Sequence, residues 1–374
     1  MVAVAQVCDA FAYGTAKSIR QLCNFMDPND RVVVFHGMRQ GTKTDLEQYE
    51  SNIELRPLPG KGPTKHLTNM RFLRDQMTSG FDVIHGHSAH AGIYVKWVSK
   101  RTGVPALYSP RGYAFLREDY PRSLRVAFRV VERMTVHQAQ TVACGPYEAS
   151  LARAMGADPI CINNGFQVHA PLPPRSPTQD FILGVGRICY QKGFDLFLET
   201  ARRCPEQSFF WVGDVQKGVM ERWGKVPENL TIQAYVPHDE LLRMLRDAYC
   251  IFLPSRWEGL SRFLIESACF GKSLITSTFP GNMDCLGDKV AGTQHANGFA
   301  CSTVDEYVDA VNRLCDEPGL LESMQQASHA IALERFDIGV IAQAWRDLYQ
   351  QYAPEVPVLE PKIATVPPEI MHAS

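Results

Sequence analysis

The sequence predicts an α/β protein built from two doubly wound domains that share one cleft. Three observations predict it. Short β-rich runs alternate with stretches of helical period from one end to the other, the signature of repeated βαβ units. Several of those runs are apolar throughout, as strands covered on both faces of a parallel sheet must be. The segment His169-Ala-Pro-Leu-Pro-Pro-Arg-Ser-Pro177 then interrupts the pattern with a stiff connector that neither sheet can continue through.

In the first half the runs fall at 2–7, 31–35, 53–55, 82–85, 106–109, 141–144 and 160–163. In the second half they fall at 181–186, 208–213, 230–234, 250–255, 273–278 and 298–302. Between them, 194–203 and 239–247 have the length and spacing of helices, and a further helix is expected over 338–352. The expected division is a first domain over 1–170, a linker at 171–178, a second domain over 179–337, and a disordered Pro-studded tail over 353–374.

Composition narrows the class. The 374 residues are 45% hydrophobic and 21% charged, ordinary values for a globular protein and wrong for a disordered or fibrous one. No run of eighteen apolar residues exists to cross a membrane. The N-terminus enters a strand-like run at once, so no signal peptide is expected. Eleven cysteines are scattered without a C-x-x-C pair, which reads as reduced thiols in a cytoplasmic protein.

The net charge of −2 hides an asymmetry. Residues 1–178 carry 21 Lys and Arg against 14 Asp and Glu, or +7; the remainder carries 17 against 26, or −9. A basic half should face something anionic, a phosphate or a membrane surface. No motif supports nucleic acid as a partner.

In open parallel sheets, ligands bind beyond the carboxyl ends of the strands. Gly14, His85, His87, Arg111, Arg187, Lys192 and Glu258 all fall there. The sharpest stretch is Phe181-Ile-Leu-Gly-Val-Gly-Arg-Ile-Cys-Tyr-Gln-Lys-Gly193, where a strand ends in Gly186 and two cations, Arg187 and Lys192, precede a helix. Cations beside a helix N-terminus suit a diphosphate. A dinucleotide fingerprint fits less well, because Cys189 stands where its third glycine belongs. A merely charged surface loop is the bland alternative.

A second stretch, Phe252-Leu-Pro-Ser-Arg-Trp-Glu-Gly-Leu-Ser-Arg-Phe-Leu-Ile-Glu266, runs from a strand through a tight turn into a helix. Glu258 and Glu266 stand in an E-x7-E pattern. Together with Gly186-Arg187, Lys192-Gly193, Pro254-Ser255 and Gly271, this order resembles the retaining glycosyltransferases of family 4 (glycosyl transferases group 1), which have the GT-B fold of two Rossmann-like domains. The run Asp82-Val-Ile-His-Gly-His87 is similar to that family's first-domain strand, and the closing helix with Trp345 to the segment that crosses back onto the first domain.

The resemblance implies a donor, a nucleoside-diphosphate sugar with UDP or GDP, and no metal or other cofactor for transfer. Arg187 and Lys192 would neutralise the departing diphosphate. Glu266 would accept the ribose hydroxyls, and Glu258 would touch the transferred sugar. Backbone amides at Gly259, Leu260 and Ser261 would add donors at a helix start, and the base would lie near Tyr235 and Val236. Gly14 would let the backbone approach the donor. His85 and His87 are expected to contact sugar or acceptor; a zinc site at His85, His87 and His90 lacks an acidic partner. Arg111 stands where relatives commonly place a histidine, and a guanidinium does not act as a base. It would instead anchor donor or acceptor, or pair with Glu118 or Asp119.

Finally, Arg122, Arg125, Arg129 and Arg133 share one side of an expected helix. A solvated face is the ordinary meaning of such a stripe; contact with an anionic membrane is the functional one. The expected protein is thus a retaining, metal-independent hexosyltransferase acting on a glycan or lipid-linked acceptor. Its expected setting is bacterial polysaccharide or lipopolysaccharide synthesis, in the cytoplasm or peripheral on the inner membrane face. A GT-B sugar-nucleotide epimerase or hydrolase, and a non-catalytic nucleotide-binding subunit, are the alternatives.

Overall fold

The computed structural model describes residues 1–11, 13–38, 49, 53–168, 181–214 and 224–353. The expected linker at 171–178, and the expected tail apart from Ala353, lie outside the described residues.

Seven parallel strands form the first sheet: β1 (Ala3–Cys8), β2 (Arg31–His36), β3 (Glu54–Pro57), β4 (Val83–His87), β5 (Ala106–Ser109), β6 (Gln140–Ala143) and β7 (Ile160–Cys161). Their order is β3-β2-β1-β4-β5-β6-β7. Helices α1 (Tyr13–Asn24), α2 (Lys65–Met77), α3 (Ala89–Thr102), α4 (Arg122–Thr135) and α5 (Pro146–Ala154) connect them. The central strands bury nearly every side chain, as helices on both faces require.

The second sheet contains β8 (Phe181–Val185), β9 (Ser208–Val212), β10 (Leu230–Gln233), β11 (Cys250–Leu253), β12 (Leu274–Ser277), β13 (Lys289–Ala291), β14 (Gln294–His295) and β15 (Gly298–Cys301). Their order is β10-β9-β8-β11-β12-β15-β14-β13. Helices α6 (Phe194–Arg203), α7 (His238–Asp247), α8 (Arg262–Cys269), α9 (Pro280–Met283), α10 (Val304–Asp316), α11 (Pro318–Arg335) and α12 (Ile338–Gln350) complete the chain. The expected runs all become strands, with ends shifted by two residues at most. The antiparallel pair β13 and β14 was not expected; these strands are three and two residues long, too short to show a period.

Helix α12 leaves the second domain. Asp337 caps it, its carboxylate accepting from the Gly339 and Val340 amides at 2.9 and 3.3 Å. Ile341, Trp345, Leu348 and Tyr349 then pack in one apolar cluster with Val2, Val4, Val83, Leu107 and Val142 of the first sheet. Ten of the eleven cysteines are at least partly buried, and all are free thiols. No described helix is long and apolar enough to cross a membrane.

Candidate active site

Strand order reverses direction between β1 and β4 in the first sheet, and between β8 and β11 in the second. Ligand crevices open at such switch points, beyond the carboxyl ends of the strands. Here both open into one cleft of about 830 Å³, lined from the first domain by Gly14, Lys17, Ser18 and Arg111, among others. From the second domain come Gly186, Arg187, Lys192, Tyr235, Val236, His238, Glu258, Gly259, Leu260, Ser261, Arg262 and Glu266.

The loop after β8 and the loop after β11 are knitted to each other. Arg256 makes a two-pronged bond to Asp195, at 2.8 and 2.6 Å, and donates to the Tyr190 carbonyl at 2.7 Å. Its guanidinium also lies over the Tyr190 ring, 3.9 Å from the centroid. A planar fork fits both partners at once. The Gln191 side chain adds a bond to the Trp257 carbonyl at 3.0 Å. Held this way, Lys192 and Glu258 form an ion pair at the cleft wall, each mostly buried. Gly186 has φ +148, and a Cβ there would stand 3.0 Å from the Lys192 side chain, so glycine makes room for that stem. Arg187 is exposed at the same edge.

Deeper in, Ser261 caps α8, its hydroxyl accepting from the Leu264 amide. One turn on, Glu266 is 5% exposed and faces a guanidinium and an imidazole. Arg262 reaches it at 3.5 Å and His238 at 4.0 Å. Burial lowers the pKa of His238, against the opposing pull of Glu266. Arg262 also donates to Ser18 and Gln21 of α1, at 3.2 and 3.0 Å, while Lys17 meets His238 at 3.2 Å. The pocket around Glu266 is therefore closed by both domains. Sequence reading missed Lys17, His238 and Arg262. The Arg262–Glu266 spacing of one helical turn was a usable signal; the Lys17–His238 contact spans 221 positions and left none.

Across the cleft, Arg111 has φ +56, a left-handed backbone unusual for a non-glycine residue. The buried carboxylate of Glu148 fixes the loop, accepting from the Gly112 and Cys144 amides at 2.6 and 2.9 Å. Gly112 in turn approaches Gly259 of the other domain so closely that a Cβ on Gly259 would lie 2.8 Å from the Gly112 nitrogen. The side chain of Arg111 donates to Asn164 at 2.6 Å, and Asn164 donates to the Leu260 carbonyl at 3.3 Å. Asp119, offered as an alternative partner, is taken by Arg117 at 2.6 Å.

Two expectations need correction. His85 and His87 do not line the cleft; both are fully buried beneath it. His85 bonds Tyr349 of α12 at 2.7 Å and Ser109 at 3.0 Å, and His87 bonds Gln6 at 2.8 Å. Burial, with Arg111 nearby, holds both rings well below the usual histidine pKa, as neutral core residues. A strand tip in a parallel sheet points its alternate side chains into the packing, and position after a strand alone did not tell which way. Arg125, the second correction, turns inward: its Nε donates to the Phe115 carbonyl at 3.0 Å. Among the described residues, no group of three or more His, Cys, Asp or Glu is arranged to hold a metal ion. His90 faces Asp9 at 3.4 Å instead.

Two doubly wound domains facing one cleft have the GT-B architecture. The pattern of the glycosyl transferases group 1 matches residues 173–330, and that of a glycosyl transferase 4-like domain matches 14–165. The chain belongs to this family, the group 1 or family 4 glycosyltransferases. A processive diacylglycerol alpha-glucosyltransferase of Acholeplasma laidlawii is 23% identical over 238 residues, 60% of this chain and 68% of that one. The UDP-Gal:alpha-D-GlcNAc-diphosphoundecaprenol alpha-1,3-galactosyltransferase of Escherichia coli is 23% identical over 300 residues, 72% and 75% of the two chains. Among solved structures, Anabaena HepE with UDP and glucose superposes with TM-score 0.77 at 16% identity, over 94% of this chain and 100% of that one.

Proposed function

We propose that the protein transfers a hexose from a UDP-sugar to a lipid-linked acceptor, with retention of configuration and without a metal. The observation that carries this is the Lys192–Glu258 pair beside Arg187, facing the same cleft as the buried Glu266. Arg187 and Lys192 neutralise the charge that builds on the diphosphate, which is the work a metal would otherwise do. Glu266 accepts the ribose hydroxyls, Glu258 contacts the sugar, and Tyr235 and Val236 border the base. The backbone of Gly259, Leu260 and Ser261 supplies further donors to phosphate or sugar.

In the reaction the bond from the sugar's C1 to the diphosphate oxygen breaks. A bond from C1 to the acceptor oxygen forms on the same face, and the acceptor's proton passes to the departing phosphate. No protein base is needed for that step, which suits a cleft holding Arg111 where a histidine is usual. The relatives named for diacylglycerol and diphosphoundecaprenol support a lipid-linked acceptor, and those named for UDP support UDP over GDP. A role in bacterial polysaccharide or lipopolysaccharide assembly at the cytoplasmic membrane face follows from such an acceptor.

The test is a panel of UDP- and GDP-sugars, with and without lipid-diphosphate acceptors, run in a chelator and read by NMR for anomeric configuration. The expected result is acceptor-dependent UDP release with the α-linkage kept. Acceptor-independent conversion of the donor would replace the reading by an epimerase or hydrolase. Nucleotide binding without release would make the chain a binding subunit.

A further inference from the structure

Helix α4 buries a single side chain, Glu132, although it carries seven apolar residues along its length. Leu124, Val126, Val130, Val131 and Met134 stand 41, 55, 48, 41 and 76% exposed. On a 3.6-residue wheel they fill one continuous arc, and Arg122, Arg129 and Arg133 form an exposed strip along its edge.

The orientation is fixed from beneath. Glu132 accepts from Lys96 at 3.0 Å and from the Tyr108 hydroxyl at 2.7 Å, and Lys96 also reaches Thr135 at 3.1 Å. Tyr120 stacks on Phe128 with ring centroids 5.9 Å apart, and Arg125 is tied to Phe115. Rolling the apolar arc inward would break the Glu132 bonds and strand a buried carboxylate, so the helix keeps its apolar side out.

We propose that α4 is an interfacial helix seating the protein on an anionic bilayer, its apolar arc in the acyl boundary and Arg122, Arg129 and Arg133 on lipid phosphates. Charge complementarity selects this occupant: an apolar stripe bordered by three exposed cations, of which Arg129 also lies over the Phe115 ring at 4.8 Å, matches an anionic headgroup layer. The segment joining α4 to the cleft begins at Arg111, which lines the cleft, and is tied to the helix by the Arg125–Phe115 bond. The inference deepens the lipid-linked acceptor reading, and it is tested without donor or acceptor so that the two fail separately.

Co-sedimentation with vesicles of phosphatidylcholine, alone and with about a third phosphatidylglycerol, reads the binding. Three variants of exposed residues are compared, each with its melting temperature as the control for folding. The doubly neutralised Arg129→Gln/Arg133→Gln should bind anionic vesicles weaker by about fivefold per arginine. Val130→Glu/Met134→Glu should lose binding even where salt has screened the charges. Met134→Trp should show a blue-shifted emission on anionic vesicles. Wild-type affinity in Val130→Glu/Met134→Glu, absence of wild-type binding to anionic vesicles, or a dimer that Val130→Glu/Met134→Glu dissolves would each overturn the proposal.

Discussion

The Arg111 guanidinium donates to the Asn164 amide oxygen at 2.6 Å, and Asn164 passes the contact on to the Leu260 carbonyl of the other domain. The hydrogen-bond partner is neutral, and the nearby Glu148 carboxylate offsets the guanidinium only through space, so the fork is not taken up by an ion pair. Arg111 is placed to take a phosphate or carboxylate oxygen, and its fork can serve Asn164 and a ligand together. Arg111→Lys keeps the charge and loses the fork, so the Michaelis constant should rise roughly tenfold or more while the fold persists. Asn164→Ala should move it the same way. Steady-state kinetics decide; constants untouched by Arg111→Ala would make the residue structural.

Removing a leaving-group cation should act on turnover. Arg187→Ala and Lys192→Ala are each expected to cost about 2–4 kcal/mol of transition-state stabilisation. Glu258→Gln should lower turnover too, yet hold or raise affinity for UDP, because in the free protein Glu258 occupies Lys192. Calorimetry with UDP, beside saturating-donor kinetics, separates the two effects.

Glu266 should matter to ground-state binding. Glu266→Gln keeps the shape and removes a charged acceptor, and affinity for UDP should fall by roughly 1–3 kcal/mol. The same change removes the group that opposes burial at His238, so that ring should titrate lower still, visible by NMR.

A pH effect should come from another contact between the domains. Asp284 accepts from the Tyr147 amide at 2.9 Å, and burial raises its carboxyl pKa to about 6. A carboxyl whose pKa is raised on folding makes the native state hold its proton longer than the unfolded chain. Its contribution is favourable below the ordinary value of 3.8 and is lost as pH rises through about 6. Asp284→Asn, which mimics the protonated form, should therefore raise the melting temperature more at pH 7 than at pH 4. Equal differences at the two pH values would remove Asp284 as the source.

The strands and the cleft residues of the second domain were legible because each rests on local chemistry. Apolar runs mark strands, Gly186, Arg187, Lys192 and Glu258 cluster on two short loops, and Glu266 lies on the helix that follows the second. His85 and His87 were misplaced because which face of a strand tip a side chain takes depends on what packs there, and Tyr349, which bonds His85 directly and reaches His87 through Gln6, lies 264 residues beyond His85. Arg125 was grouped with three exposed arginines for the same reason. A helical wheel shows which residues share a side, and only the body beneath shows which side is covered.

Helix α12 makes the first domain discontinuous in sequence. The chain crosses between the domains twice, once between Val168 and Phe181 and again at Phe336–Ile338, where Phe166 and Asp337 pair. A fragment ending near residue 168 would lack Trp345 and Tyr349, leaving Val4, Leu107 and Val142 uncovered and the His85–Gln6 polar chain without its hydroxyl. The closing helix thus completes the core of the first domain, and the second domain is in effect an insertion into it.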